Sequence, residues 1–221
     1  MDAMSRTTIE DRNTAIDVNE LRPIGDYVLV AIIEKERSVG GILLPKGKGT
    51  EIALGRVLAL GTGIGNNTNM RVFPIELNVD DYVVMLQYSG EKMALRQGPY
   101  RLIRSNGIWA KAQLSDADSY EFSDIEPRFN CVLLDPVDET QTRSGIYLPR
   151  GQNAEAANRL AKVVKAGPGI WHHESGKRLP IGLEPGQTVV MMRYAGADVR
   201  VNGKWLRLCQ EDDIHCIVEG L

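Results

Sequence analysis

LRPIGDYVLVAIIE, residues 21–34, returns in altered form as IEPRFNCVLLDPVD, residues 125–138. The offset is 104 positions, and it holds through Gly41/Gly145, Ile42/Ile146, Leu44/Leu148, Pro45/Pro149 and Gly47/Gly151. Beyond them the offset becomes 106: Val57 aligns with Val163, Gly61 with Gly167, Gly63 with Gly169, Pro74 with Pro180 and Leu77 with Leu183. DYVVMLQYSG, residues 81–90, aligns with QTVVMMRYAG, residues 187–196, and Arg101-Leu102 with Arg207-Leu208. The chain is therefore a tandem repeat with one register change, which falls between Gly47 and Gly55. Insertions are tolerated where backbone is exposed, so the change predicts a surface loop there.

Within each copy the apolar runs are short and rich in β-branched residues: YVLVAII, RVLAL and YVVML, then CVLL, KVVKA and TVVMM. Gly, Pro and Asn separate them. That punctuation predicts an all-β fold, a small sandwich or barrel in each copy. The expected division is a polar flexible tail over 1–20, a first barrel over 21–111, a linker over 112–124 and a second barrel over 125–221. The linker is read from the polar, short stretch AKAQLSDADSYEFSD, residues 110–124. Helical periodicity is weak. NAEAANRL, residues 153–160, is a short helical turn or nothing.

Composition removes several functions. The 221 residues carry a formal net charge of −3, which leaves no basic excess to neutralise a phosphate backbone. No apolar run reaches the length of a membrane helix. Three cysteines make no disulfide framework. The first twenty residues lack the apolar core of a secretory signal and hold several acids, unlike a transit peptide. A reducing cytoplasm is the expected compartment.

Each copy contains an apolar triplet between glycine and proline: GGILLPKG, residues 40–47, and SGIYLPRG, residues 144–151. A buried strand and an exposed loop both fit such a triplet. Its recurrence beside the register change favours the loop.

The order of these features resembles the co-chaperonin family, the small lid proteins of the bacterial chaperonin. The resemblance runs from Leu21 to about Lys111 and again from Ile125 to Val218. It is carried by the opening strands LRPIGDYVLV and IEPRFNCVLL, the loop signatures GGILLP and SGIYLP, the strands GRVLALGTG and AKVVKAGPG, and YVVMLQYSG with TVVMMRYAG. Four motifs in order, twice in one chain, are similar in layout to the tandem lid proteins of chloroplasts.

The resemblance implies two GroES-like β-barrels, each with a mobile loop pointing one way and a roof β-hairpin pointing the other. The hairpins would fall near residues 64–73 and 170–179. The mobile loops would bind the apical domains of a nucleotide-bound chaperonin through Gly40, Gly41, Ile42, Leu43, Leu44 and Pro45, and through Gly145, Ile146, Tyr147, Leu148 and Pro149. Tyr88 and Tyr194 would face the chamber that encloses unfolded substrate protein. The chain would form a homo-oligomeric ring. Localisation would be a bacterial or phage-infected cytoplasm, or the chloroplast stroma if a transit peptide has been removed. The rival expectation is a structural or adaptor ring protein that keeps the barrel without chaperonin binding. Ser144 and Tyr147 depart from the family pattern, and the tyrosine hydroxyl needs a partner or water.

Catalysis is not expected. His172, His173, Cys209, His215 and Cys216 match no common zinc spacing, so no metal or other cofactor is expected. ESGKR, residues 174–178, has Trp171 where a phosphate loop needs its first glycine and Arg178 where it needs Ser or Thr. GTGIG and GPG follow strands without opening a helix, and read as turns.

Overall fold

The computed structural model describes residues 17–33, 38–39, 42–43, 52–66, 71–95, 98–116, 120–137, 160–172, 174–192 and 195–219. Among them the regular structure is β-strand, apart from three single-turn 3-10 segments. The first unit contains β1 (Tyr27–Ile33), β2 (Ser38–Val39), β3 (Ile42–Leu43), β4 (Ile52–Leu60), β5 (Ile64–Asn66), β6 (Arg71–Phe73), β7 (Tyr82–Leu86), β8 (Glu91–Leu95), β9 (Gly98–Arg104) and β10 (Ile108–Asp116). The second contains β11 (Glu121–Pro127), β12 (Cys131–Pro136), β13 (Leu160–Ala166), β14 (Ile170–Trp171), β15 (Arg178–Leu179), β16 (Thr188–Met191), β17 (Ala197–Val201), β18 (Lys204–Gln210) and β19 (Ile214–Val218).

The repeat read from sequence is a repeat of strand pairing. β1 lies between β4 and β9, and β12 lies between β13 and β18, all antiparallel. Val28 faces Leu60 and Val132 faces Ala166, and the ladder shifts register at Leu29/Val30 and again at Leu133/Leu134. A β-bulge repeated at the equivalent position bends both barrels in the same way.

Each barrel closes on its own apolar core. Val28, Val30, Val57, Leu77, Val83, Met85 and Ile108 pack in the first. Their counterparts Val132, Leu134, Val163, Leu183, Val189 and Met191 pack in the second, with Ile214 against them. Burying side chains of this size stabilises by roughly 1.5–3 kcal/mol each, before conformational entropy is set against it.

The stretch expected as a linker is largely strand. β10 pairs with β11, with Ala110 facing Pro127 and Ala112 facing Ile125, and the two are neighbours in one thirteen-stranded sheet that runs through both units. The polar look of EFSDIEP conceals its inward residues: Phe122 and Ile125 are fully buried. They join a cluster that includes Leu54, Val84 and Trp109 of the first unit and Leu133, Leu206 and Leu208 of the second. The expected helical turn over 153–160 lies outside the described residues except for Leu160, which begins β13.

Candidate functional site

β4 determines where the chain enters and leaves the first barrel. It has nine residues and spans about 30 Å at the usual rise of an extended strand. Its Ile52 end receives the chain segment that carries the first triplet, and its Leu60 end leads into the hairpin of β5 and β6. In the second unit, β12 ends at Pro136 and β13 starts at Leu160 before leading to the hairpin of β14 and β15. Both triplets therefore leave from the same strand pair of their barrel, and both hairpins rise from the opposite end of it. The hairpins expected near 64–73 and 170–179 are present, with Ile64 facing Phe73 and Ile170 facing Leu179.

Of the first triplet, Ile42 and Leu43 form β3 and pair with β2, Val39 facing Ile42. Gly40, Gly41, Leu44 and Pro45 lie outside the described residues, as do Gly145, Ile146, Tyr147, Leu148 and Pro149. Tyr194 also lies outside them. Tyr88 is described: it is 78% exposed, in the turn that follows β7. β7 runs beside β4 with Leu86 facing Ile52, so Tyr88 stands at the end of the barrel from which the triplet leaves. The turn is fixed from below. Arg101 is buried and its Nη1 donates to the Ser89 carbonyl at 3.0 Å. Burial lowers the pKa of this guanidinium.

The seam between the units is the other built feature. Arg128 is only 6% exposed. Its Nη1 donates to the carbonyls of Ser105 at 3.0 Å and Ile108 at 3.2 Å, and its Nη2 donates to Ser105 Oγ at 3.2 Å and to the Ile75 carbonyl. Burial pulls its pKa down to about 10, so it remains charged at neutral pH. Among the hairpins, Trp171 stacks on Phe73 with ring centroids 5.1 Å apart. The Arg178 guanidinium lies over the Trp171 ring at 4.5 Å and donates to the Glu76 carboxylate. Tyr120 donates its hydroxyl to the Ile33 carbonyl. None of these residues was singled out for the seam by sequence. The signal was faint but present: Arg128 aligns with Ile24, a mismatch directly after a shared proline.

Among the described residues no group of His, Cys, Asp and Glu is placed to hold a metal ion. His172 Nδ1 lies 2.9 Å from Ser175 Oγ within its own turn. Cys131 and Cys209 are buried, and burial pushes both thiols up to about 12. Among the described residues no helix is long and apolar enough to cross a membrane.

Each unit is a β-barrel with a hairpin rising from one end of its β1/β4 or β12/β13 strand pair, and sequence comparison assigns these units to a family. The sequence model of the chaperonin 10 kDa subunit family matches residues 20–112 and again 124–218, and the chain belongs to that family with the domain in tandem. It is similar to the chloroplastic 20 kDa chaperonin of Spinacia oleracea, 25% identical over 207 residues, covering 93% of this chain and 78% of that protein. The chloroplastic 20 kDa chaperonin of Arabidopsis thaliana is 27% identical over 184 residues, covering 81% and 68% respectively. A single-unit relative, the co-chaperonin GroES of Exiguobacterium sibiricum, is 36% identical over 93 residues, 42% of this chain and 98% of that protein.

Proposed function

We propose that this chain is a co-chaperonin that caps a chaperonin ring through both of its loops and encloses unfolded protein beneath the roof hairpins. The observation that carries the reading is the apolar triplet, present in each family unit at the equivalent place between two barrel strands. In this reading the barrels span 21–111 and 125–221, with 1–20 as a tail and 112–124 joining the two. Ile42, Leu43 and Leu44 grip one apical domain, and Ile146, Tyr147 and Leu148 grip the next. Gly40, Gly41 and Gly145 give each loop its freedom, and Pro45 and Pro149 end the extended segment. Tyr88 and Tyr194 face the chamber.

A loop that orders only on binding loses much of its contact energy to ordering, so each grip is weak. Several loops on one rigid ring bind together tightly and still release when the partner moves. Two units per chain close a ring of about three or four chains by head-to-tail contacts. The chaperonin partner places the protein in a bacterial cytoplasm, or a phage-infected one, or in the chloroplast stroma.

Hydrogen exchange tests this directly. Residues 36–50 and 140–156 are expected to exchange fast in the free protein and to become protected when a chaperonin and nucleotide are added. Unchanged exchange in both segments on addition would leave the structural-barrel reading in its place.

A further inference from the structure

Of the three tryptophans, Trp109 is buried and Trp171 stacks on Phe73, but Trp205 is 61% exposed. It is the second residue of β18, next to the turn that joins β17 to β18. The repeat does not account for it, since the aligned residue of the first unit is Pro99. Nor does the seam. Leu206 and Leu208 turn towards the cluster shared by the units, and Trp205 lies on the other face of the strand. Leu134 faces Arg207, and the same register continued carries Pro136 towards Trp205. There the Lys204 ammonium donates to the Asp135 carboxylate, tying the two strand ends together. Just beyond, the Val137 N–H donates to the Leu160 carbonyl at 2.9 Å. Trp205 therefore stands at the root from which residues 138–159, with the second triplet, depart.

The turn beside Trp205 is fixed from several sides. Asn202 and Gly203, with φ of +49° and +79°, join Val201 to its partner Lys204. A two-residue Asn-Gly turn of this kind matches the twist of the strands it connects. β11 secures it: the Asn202 N–H donates to the Phe122 carbonyl and its Nδ2 to the Ser123 carbonyl, both at 2.9 Å. The Gly203 N–H donates to Glu121 Oε1, and the other oxygen of that carboxylate pairs with Arg200 Nε at 3.1 Å. Arg200 faces Trp205 across the hairpin, so both cations beside the indole, Arg200 and Lys204, already have partners. What the hairpin offers outward is the indole itself. A large aromatic that lends little to its own fold, carried on a support that needs no ordering, has the character of an interface anchor.

We propose that Trp205 is a second anchor on the chaperonin, received by an apolar shelf of the apical domain that the second triplet grips, with an oxygen acceptor for the indole N–H. The inference rests on the lid reading above and adds a contact that only the second unit makes. Position selects this partner. Val137 and Ile146 are nine positions apart, a span of at most about 30 Å, the width of a small domain. A chain gripped by Ile146, Tyr147 and Leu148 thus keeps its indole within reach of the same apical domain. Chemistry supplies the reason for it. Tyr147 stands where the first triplet has Leu43, and a rigid indole restores the apolar contact that this exchange gives up.

Hydroxyl-radical footprinting, read residue by residue by mass spectrometry, tests this on the unaltered chain. Oxidation of Trp205 is expected to fall at least about threefold when a GroEL-type chaperonin and ATP are added with no unfolded protein present, because an anchor at an interface is shut off from water. Trp205→Thr, which keeps a strand-forming residue, should raise the dissociation rate from the chaperonin at least about tenfold, with the thermal midpoint unchanged. Trp205→Tyr should recover most of the loss. Oxidation that does not change on addition would overturn the proposal. So would protection that needs unfolded protein, protection that develops in the free chain as its concentration rises, or a Trp205→Thr chain that dissociates like the wild type. The footprint decides even if that variant folds poorly. Hydrogen exchange of residues 36–50 and 140–156 is read alongside. Loop protection with Trp205 still oxidised would remove the anchor alone, and Trp205 protected with both loops unchanged would remove the loop reading alone. Neither protected would remove both.

Discussion

Trp171 in the hairpin of the second unit stacks on Phe73 in the hairpin of the first, with an interplanar angle of 20°. Two hairpins of only a few residues are thereby joined across a boundary between repeats. Stacked aromatic pairs contribute about 0.5–1.5 kcal/mol beyond the area they bury. A double-mutant cycle with Phe73→Leu and Trp171→Leu, followed by urea unfolding, should show a coupling energy in that range. Additive losses would show that the rings only fill space.

Arg128 is expected to hold the units together. Truncation leaves the carbonyls of Ile75, Ser105 and Ile108 without this donor in a buried place. Arg128→Ala should cost about 2–5 kcal/mol. Arg128→Lys should recover little of it, since one ammonium cannot span partners that a fork reaches from two sides. Denaturant midpoints of the two variants check the order.

Glycine is required at the base of each hairpin. Gly169 has φ +90°, and a Cβ there would lie 1.8 Å from the Leu179 carbonyl oxygen. At Gly63, with φ +121°, the corresponding approach is 2.5 Å to the Phe73 carbonyl oxygen. Gly169→Ala should cost about 1–3 kcal/mol and disturb the Trp171 fluorescence more than Gly63→Ala does.

Stability should fall in mild alkali. The Cys131 and Cys209 thiols are raised by burial to about 12 from an ordinary 9.0. What they lend to the fold is complete below about pH 9 and is lost as pH climbs towards 12, because the unfolded chain releases those protons first. Arg128, held down to about 10, works in the opposite direction only above that pH. Between pH 8 and 10 the unfolding free energy from urea titration should therefore drop, by about 1 kcal/mol per thiol at the upper end. Cys209→Ala should flatten that slope while lowering the starting value.

The two triplets should act together. Replacing Ile42, Leu43 and Leu44 by Ser should weaken chaperonin binding at least about tenfold while thermal unfolding stays unchanged. Changing Ile146, Tyr147 and Leu148 as well should abolish it. A large loss of thermal stability in the first variant would show that the triplet is core.

Much of the architecture was legible because the two copies are alike where the physics is alike. Val28 and Val132, Val83 and Val189, Met85 and Met191 each pack in the core of their own barrel, so both positions keep the same kind of residue. The hairpins were expected only from the family resemblance; the structure adds that Gly63 and Gly169 at their bases both meet a carbonyl that leaves no room for a side chain. The strand pair β10 and β11 was hidden. Its exposed residues are polar, and Phe122 and Ile125 find their neighbours in both units, far apart in sequence.

By itself, then, the sequence determined two copies of one barrel, their cores, and an apolar triplet at the same place in each. Only the tertiary structure decided how the copies meet. A repeat is recognised by residues that stay the same, but a seam depends on those that differ. Arg128 differs from Ile24 because one lies buried against three carbonyls and the other projects from an outer face. That distinction comes from which surfaces the fold brings together, and neither residue carries it in its own neighbourhood of the sequence.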